Sequence, residues 1–331
     1  MQIADASQIG AARRAAAELA SSLGFDETRM GQVSLIVTEA GTNLVKHGGG
    51  GQILLRGVEE ADCRHVEIVA LDRGPGMANV ARCLEDGYST AGSPGTGLGA
   101  LRRLSCELDI YSRVGHGTAV LARVGDRTCQ PGAHGRRGIE IGGFCLPMPG
   151  EETCGDAWEE EPRIGGTTLL VADGLGHGPG AAEAAKEAVK AFRALRGRPP
   201  AERLETIHAA LRSTRGAAVA VADVDLETRV VRFAGLGNIS ARLVGEGRVR
   251  HLVSHNGTAG HAARRIDEFT YPWAARDLLV MHSDGLATQR DLDAYPGLLE
   301  RHPSLVAAVL YRDFTRGRDD VAVVIARECA A

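Results

Sequence analysis

The chain has 331 residues, a length that suits two domains of ordinary size better than one. Hydrophobic residues at 44% and charged residues at 24% exclude wholesale disorder, and a formal net charge of −4 gives no electrostatic case for a nucleic-acid binder. No apolar run approaches the ~18–20 residues that span a bilayer, and Met1–Asp5 lacks the basic and apolar parts of an export signal, so a cytoplasmic protein with no membrane partner is expected.

Two helices open the chain, Ala6 to Leu23 and Asp26 to Lys46, the second with Asp26 as N-cap and Met30, Val33, Ile36 and Val37 at helical spacing. The run Gly48–Gly51 stops it. Strands follow at Gln52–Val58 and His65–Leu71, the latter alternating Val66, Ile68, Ala70. A Gly-rich stretch from Arg73 to Gly99 enters a helix at Ala100–Cys106, and strands at Leu108–Arg113 and Thr118–Val124 close the segment. Gly125–Gly138 has no apolar periodicity and reads as a linker. Beyond it strands fit Ile139–Leu146, Thr167–Ala172, Ala217–Asp223, Arg229–Ala234, Ser240–Val244, Val249–Val253, Leu278–His282 and Val321–Ala326. Helices fit Gly180–Leu195, Pro200–Ser213 and Leu305–Tyr311. Both halves therefore read as α+β. The seven cysteines form no C-x-x-C pair and read as scattered reduced thiols.

Three features of the first half point to a nucleotide. Glu39 and Asn43 stand one turn apart on the second helix, where a carboxylate and an amide oxygen can hold a hydrated Mg²⁺ or orient a hydroxyl. Lys46 follows on that helix and could reach a phosphate. Asp72, in Asp72-Arg73-Gly74-Pro75-Gly76, ends an apolar strand, where it can accept from an exocyclic amine while Gly74 and Gly76 admit a base. Gly95-Thr96-Gly97-Leu98-Gly99 opens a helix and so presents free N–H groups to a polyphosphate. Each alone is weak, since such residues are common on exposed helices and turns. There is no G-x-x-x-x-G-K-[ST] anywhere.

In this order the three resemble the N, G1 and G2 boxes of the GHKL ATP-binding fold, over about residues 6–124. Within it the chain is most similar to the small serine kinases of anti-sigma pathways, of the RsbT and RsbW type. Asp86-Gly87-Tyr88-Ser89-Thr90 resembles the RsbT type in particular. The resemblance implies Glu39 as catalytic base, Asn43 as Mg²⁺ ligand, Asp72 as the adenine contact, a lid of Gly95, Gly97 and Gly99, and Thr118 near the adenine. His47, at the helix end, reads as a C-terminal cap rather than a phosphoacceptor.

The second half carries acids at strand ends: Asp156 in Cys154–Trp158, Asp173-Gly174 leading into Leu175-Gly176-His177-Gly178, Asp284-Gly285, and Asp319-Asp320. An isolated Asp-Gly reads as a turn. Carboxylates converging from distant strand ends make an oxygen-rich divalent cation site, and a pair of such ions activates water and clamps a phosphoryl group. The order of these motifs resembles the SpoIIE branch of metal-dependent serine/threonine phosphatases over about residues 138–328, with Ala234–Asn238 matching its mid-domain turn. That resemblance implies ligation of two Mn²⁺ or Mg²⁺ by Asp156, Asp173, the Gly174 carbonyl, Asp284 and one of Asp319 or Asp320, with Asp319 favoured. His177 suits a general acid or a plain turn residue, and Arg163 is a candidate for substrate phosphate.

The expectation is therefore an N-terminal two-layer GHKL (Bergerat) α/β sandwich at 1–124, a linker at 125–138 and a C-terminal αββα phosphatase sandwich at 139–331. The resemblances imply ATP with Mg²⁺ in the first domain, and a STAS-domain antagonist or stressosome-type protein as the partner phosphorylated on Ser or Thr, with a sigma factor as a further partner. Two rivals remain: a first domain that senses nucleotide without catalysis, and one that only captures a partner.

Overall fold

A computed structural model describes residues 1–59, 64–84, 97–126, 138–245, 247–287, 292 and 294–329. The chain divides into two compact units, Met1–Ala133 and His134–Ala331. Among the described residues no helix is long and apolar enough to cross a membrane.

In the first unit, β1 (Gln2–Ile3), α1 (Ala6–Ser22), α2 (Glu27–His47), β2 (Gly51–Glu59), β3 (Arg64–Leu71), α3 (Val80–Cys83), α4 (Gly97–Leu104), β4 (Glu107–Ser112) and β5 (Thr118–Gly125) follow one another. The strands form an antiparallel sheet in the order β1-β2-β3-β5-β4. Asp26 caps α2 by accepting the Arg29 N–H at 2.9 Å, as its place before the periodic run requires. The apolar faces of α1 (Ala12, Ala16, Ala20) and α2 (Val33, Ile36, Val37, Leu44) pack on Val66, Ile68 and Ala70 of β3 in one core. Each of these larger side chains stabilises the unit by roughly 1.5–3 kcal/mol on burial. The alternation in β3 thus faces the helices, and the chain leaves the sheet at Asp72.

The second unit contains β6 (Ile139–Leu146), β7 (Asp156–Arg163), β8 (Gly166–Gly174), α5 (Pro179–Ala194), α6 (Pro200–Ala210), β9 (Ala217–Asp225), β10 (Val230–Leu236), β11 (Ser240–Gly245), β12 (Arg248–His251), β13 (Gly257–Thr258), β14 (Ala262–Ala263), β15 (Phe269–Pro272), β16 (Leu278–His282), α7 (Pro303–Phe314) and β17 (Val321–Glu328). Two five-stranded sheets run β15-β10-β9-β8-β7 and β12-β11-β16-β17-β6. Leu169 and Val171 of β8 face the other sheet with Phe233, Met281 and Val324, while Leu170 and Ala172 face Ala184, Ala188 and Phe192 of α5. A strand covered on both faces must be apolar throughout, which explains the unbroken run Leu169–Ala172. On the second sheet α7 packs against β6 and β17, so the layers are helix, sheet, sheet, helix. This is the expected αββα class.

Five strands escaped the sequence reading: β1, β7 and β15, each at the edge of a five-stranded sheet, and the two-residue pair β13 and β14. The helix expected at Ala100–Cys106 begins earlier, at Gly97. Most of the expected linker lies outside the described residues, as does Asp86–Thr90.

Candidate functional site

In the first unit α2 brings Glu39 and Asn43 to one face, both half-buried, while Lys46 is exposed in its last turn. The first residue of α4 lies directly over them: a Cβ at Gly97 would sit 3.3 Å from both Glu39 Oε2 and Asn43 Oδ1. Glycine there lets the backbone of a helix start approach two polar side chains, and the first N–H groups of α4 have no partner within the helix. Gly99 is buried and Leu98 packs against the core, so what Leu98 offers a ligand is its backbone N–H. Gly95 lies outside the described residues.

Asp72 is fixed from two sides. Its Oδ1 accepts the Gly74 N–H at 2.8 Å and the Thr118 N–H at 3.1 Å, and its own N–H donates to the Thr118 carbonyl at 2.9 Å. The Thr118 hydroxyl lies 2.9 Å from Ser112 Oγ, which accepts the Met77 N–H. Gly76 has φ +69° and closes on the Arg113 carbonyl, so only glycine fits this crossing of β3 and the β4–β5 turn. The end of α2 abuts the same residue, since a Cβ at Gly48 would lie 2.6 Å from the Asp72 Cβ. Asp72, Gly74, Gly76 and Thr118 thus form one cluster, and Glu39, Asn43 and Gly97 another. A base with an exocyclic amine suits the first and a polyphosphate the second.

In the second unit Asp156 and Asp173 face each other across the β7–β8 ladder. Burial pushes Asp173 up to about 8, and the negative fields of Asp156, Asp284, Asp319 and Asp320 add to it. Asp156 is pushed up to about 7, again chiefly by burial, against hydrogen bonds from Ser283 and the Ala322 backbone. Its Oδ2 is buried without a hydrogen-bond partner. Asp319 is raised in the same way, and His177 opposes that rise. A buried, unpartnered carboxylate oxygen among mutually repelling acids fits a divalent cation.

The two adjacent acids are placed differently. Asp320 is 2% exposed and accepts the Met148 N–H at 2.7 Å through Oδ1 and the Gly155 N–H at 2.8 Å through Oδ2. Its N–H donates to Asp319 Oδ1 at 2.9 Å. Gly174 donates to the Gly155 carbonyl at 3.1 Å, so Asp320 holds in register the turns that carry Asp156 and Gly174. Asn238 donates to Asp284 Oδ2 at 2.8 Å, and His177 Nδ1 lies 2.9 Å from Glu151 Oε1. The sequence reading missed Ser283, Glu151 and the structural task of Asp320, because their partners are distant or are backbone groups.

Arg163 requires a correction. It ends β7 seven residues from Asp156, about 23 Å at ~3.3 Å per residue. There it pairs with Asp223 at 2.7 Å, so it does not meet a phosphate at the aspartate centre.

Comparison with known proteins agrees with both halves. A histidine kinase-like ATPase domain family matches residues 3–124, and the stage II sporulation protein E (SpoIIE) family matches residues 164–328. The serine/threonine-protein kinase RsbT of Bacillus subtilis (strain 168) is 33% identical over 114 residues, covering 34% of this chain and 86% of the relative. Among solved structures, one from work on the bacterial stressosome, a modular system adapted to control secondary messenger signalling, is 28% identical with a TM-score of 0.53. The match covers 57% of this chain and 99% of that one. The PP2C phosphatase domain of SpoIIE from Bacillus subtilis, with a fragment of its regulatory domain, gives a TM-score of 0.50 at 17% identity. It covers 83% of this chain and 82% of that chain, and shares the fold. The chain therefore belongs to the RsbT family through its first unit, a histidine kinase-like ATPase domain fused to a SpoIIE-type phosphatase domain.

Proposed function

We propose that the protein is a cytoplasmic partner-switching regulator that both adds and removes a phosphoryl group. The first unit phosphorylates a serine or threonine of a STAS-domain or stressosome-type partner. The second hydrolyses phosphoserine or phosphothreonine. Two observations support the reading: Gly97 lies over Glu39 and Asn43 in the first unit, and Asp156, Asp284, Asp319 and Asp320 all act on the buried Asp173 in the second.

In the first unit ATP is the substrate. Asp72, its carboxylate fixed by the Gly74 and Thr118 N–H groups, accepts from the adenine amine. Asn43 would hold Mg²⁺, Lys46 would reach toward the phosphates, and the N–H groups at Gly97–Gly99 would take phosphoryl oxygens. Glu39 takes the proton of the incoming hydroxyl as its oxygen bonds the γ-phosphorus and ADP leaves.

In the second unit Asp156, Asp173, the Gly174 carbonyl, Asp284 and Asp319 would hold two Mn²⁺ or Mg²⁺. When bound, these would supply Lewis acidity at the phosphoryl group and a water of lowered pKa. Asp320 keeps the ligand turns in register through Met148 and Gly155, and Asn238 orients Asp284.

The test is to incubate the Asp173→Asn chain with labelled ATP, Mg²⁺ and a purified STAS-domain protein, then to add the wild-type chain with Mn²⁺ and excess unlabelled ATP. Label should enter the partner and then leave as inorganic phosphate. Label that never enters makes the first unit a sensor or a capture module; label that enters and never leaves ends the phosphatase reading.

A further inference from the structure

A dianionic phosphoester approaching four carboxylates needs positive charge beyond any metal ions, and Arg163 is committed elsewhere. Arg316 and Arg318 precede Asp319 in the chain, and a further arginine, Arg215, lies beside Asp173-Gly174. Arg215 stands between the 3₁₀ turn Leu211–Ser213 and β9. The Gly216 N–H donates to Thr214 Oγ1 at 3.0 Å, and the Gly216 carbonyl accepts the Leu175 N–H at 3.0 Å. The backbone next to Arg215 is thus tied to the residue that follows Gly174. In the same ladder Asp173 pairs with Ala218 and Gly174 with Ala217.

The side chain lies along the first turn of α5. A Cβ at Gly180 would sit 2.6 Å from Arg215 Nε and 2.7 Å from Cζ, and a Cβ at Gly176 would sit 3.6 Å from Nη1. The guanidinium therefore bridges Gly176 and Gly180, on the turn that leads out of Asp173-Gly174. It is exposed, and among the described residues no hydrogen bond or ion pair holds it. Stability does not explain this seat. A cation at a helix N-terminus is opposed by the helix dipole, and glycine in a helix is less favourable than alanine. A planar guanidinium with its donors unused is suited to two oxygens of one phosphate.

We infer that Arg215 binds the non-bridging oxygens of the substrate phosphoryl group at the aspartate centre, in a seat kept open by Gly176 and Gly180. This rests on the phosphatase reading of the second unit.

The test uses the full chain loaded with Mn²⁺, with p-nitrophenyl phosphate and a phosphoserine peptide as substrates and inorganic phosphate as inhibitor. Arg215→Ala should raise KM for both substrates, and Ki for phosphate, about tenfold or more. kcat should change less than about threefold, and Mn²⁺ affinity should stay as in the wild type. Arg215→Lys should recover part of the loss, because it restores the charge without the fork. Gly180→Ala keeps the arginine and favours the helix, so folding is not at risk; its methyl group occupies the seat, and KM and Ki should rise in the same direction. Unchanged KM and Ki in Arg215→Ala would overturn the inference while leaving the phosphatase reading intact. Should the wild type turn over neither substrate, that reading fails and calorimetry with inorganic phosphate decides on Arg215. Binding lost in Arg215→Ala then sustains the anion site, and equal binding, or none in the wild type, ends it.

Discussion

The two polar centres are built in opposite ways. In the first unit, Glu39, Asn43 and Lys46 come from one helix, while Asp72, Gly74, Gly76, Thr118 and Gly97 arrive from elsewhere. Helical rise alone sets Glu39 against Asn43, so that half of the cradle exists as soon as α2 does. In the second unit Asp156 and Asp173 sit on the paired strands β7 and β8 of one sheet, Asp284 follows β16 and Asp319 precedes β17 of the other, so the four meet only when both sheets are in place. Burial makes Asp156, Asp173 and Asp319 harder to ionise. One centre is a local arrangement that tertiary structure completes. The other is a tertiary arrangement that repels itself.

The sharpest way to break this contrast is to remove the metals or one acid. Asp173→Asn, or EDTA on the wild type, should reduce hydrolysis of a phosphoserine peptide by more than the ~10–100-fold that outer-shell partners are worth. ATP binding by the first unit should be unchanged in Asp173→Asn, whereas EDTA should weaken it, because the ion expected at Asn43 goes as well. Phosphatase activity that survives EDTA would remove the cation from the second centre.

Glu39→Ala comes next. It should lower transfer to the partner by about 10²–10⁴ while ATP affinity stays within about tenfold, or ~1.4 kcal/mol. Asn43→Ala should lose both, since the ion goes with it. Equal transfer by wild type and Glu39→Ala, measured with labelled ATP, would reduce the first centre to a binding site.

A smaller effect is expected where a neighbour only orients a ligand. Asn238→Ala leaves Asp284 in place without its 2.8 Å donor and should cost about 10–100-fold in kcat/KM. A loss as large as that of Asp173→Asn would make Asn238 part of the ligand set itself.

The smallest effect is one of pH. Asp156 and Asp173, at about 7 and 8, hold protons that the unfolded chain gives up near 3.8. Stability of the metal-free second unit should therefore be greatest at the acid end of this window and fall as pH rises through about 7 to 8. Mn²⁺ takes the place of those protons, so the Tm difference between metal-loaded and metal-free protein should widen over the same range. Thermal melts from about pH 5 to about pH 8.5 check the sign, and Asp173→Asn should flatten the metal-free profile. A metal-free Tm that rises with pH through the window would contradict the buried, self-repelling cluster.

The same contrast explains what could be read in the sequence. Glu39 and Asn43 were legible because one helix places them, and the β3 alternation because one face of that strand meets the helices. The strand-end acids were legible as types, since Asp-Gly after an apolar run is a local pattern. The missed strands sit at sheet edges. Asp156–Arg163 has three consecutive glutamates and Pro162, and Phe269–Pro272 ends in proline. Edges tolerate charge and proline, so these strands carry little of the usual signal. Asp320 was legible as an acid and illegible as a clamp, because its partners Met148 and Gly155 are backbone groups 172 and 165 residues away. Arg215 stood in no periodic pattern at all. A short Arg-Gly before an apolar strand becomes informative only once α5 is folded beside it.

The inner face of α5 consists largely of alanine, with Ala181, Ala184, Ala185 and Ala188 at most 1% exposed. So thin a layer makes the helix a gauge block resting on β8, with Gly174 pressed against the Ala181 backbone at one end. An engineer who thickened the block, for instance with Leu at 184, would tilt the far end and shift the Asp173-Gly174 turn without touching a polar atom. Overpacking of this kind typically costs ~1–3 kcal/mol. The tolerance of the aspartate centre is thus set by the smallest side chains in the unit, and libraries aimed at new specificity would do better to leave that seam alone.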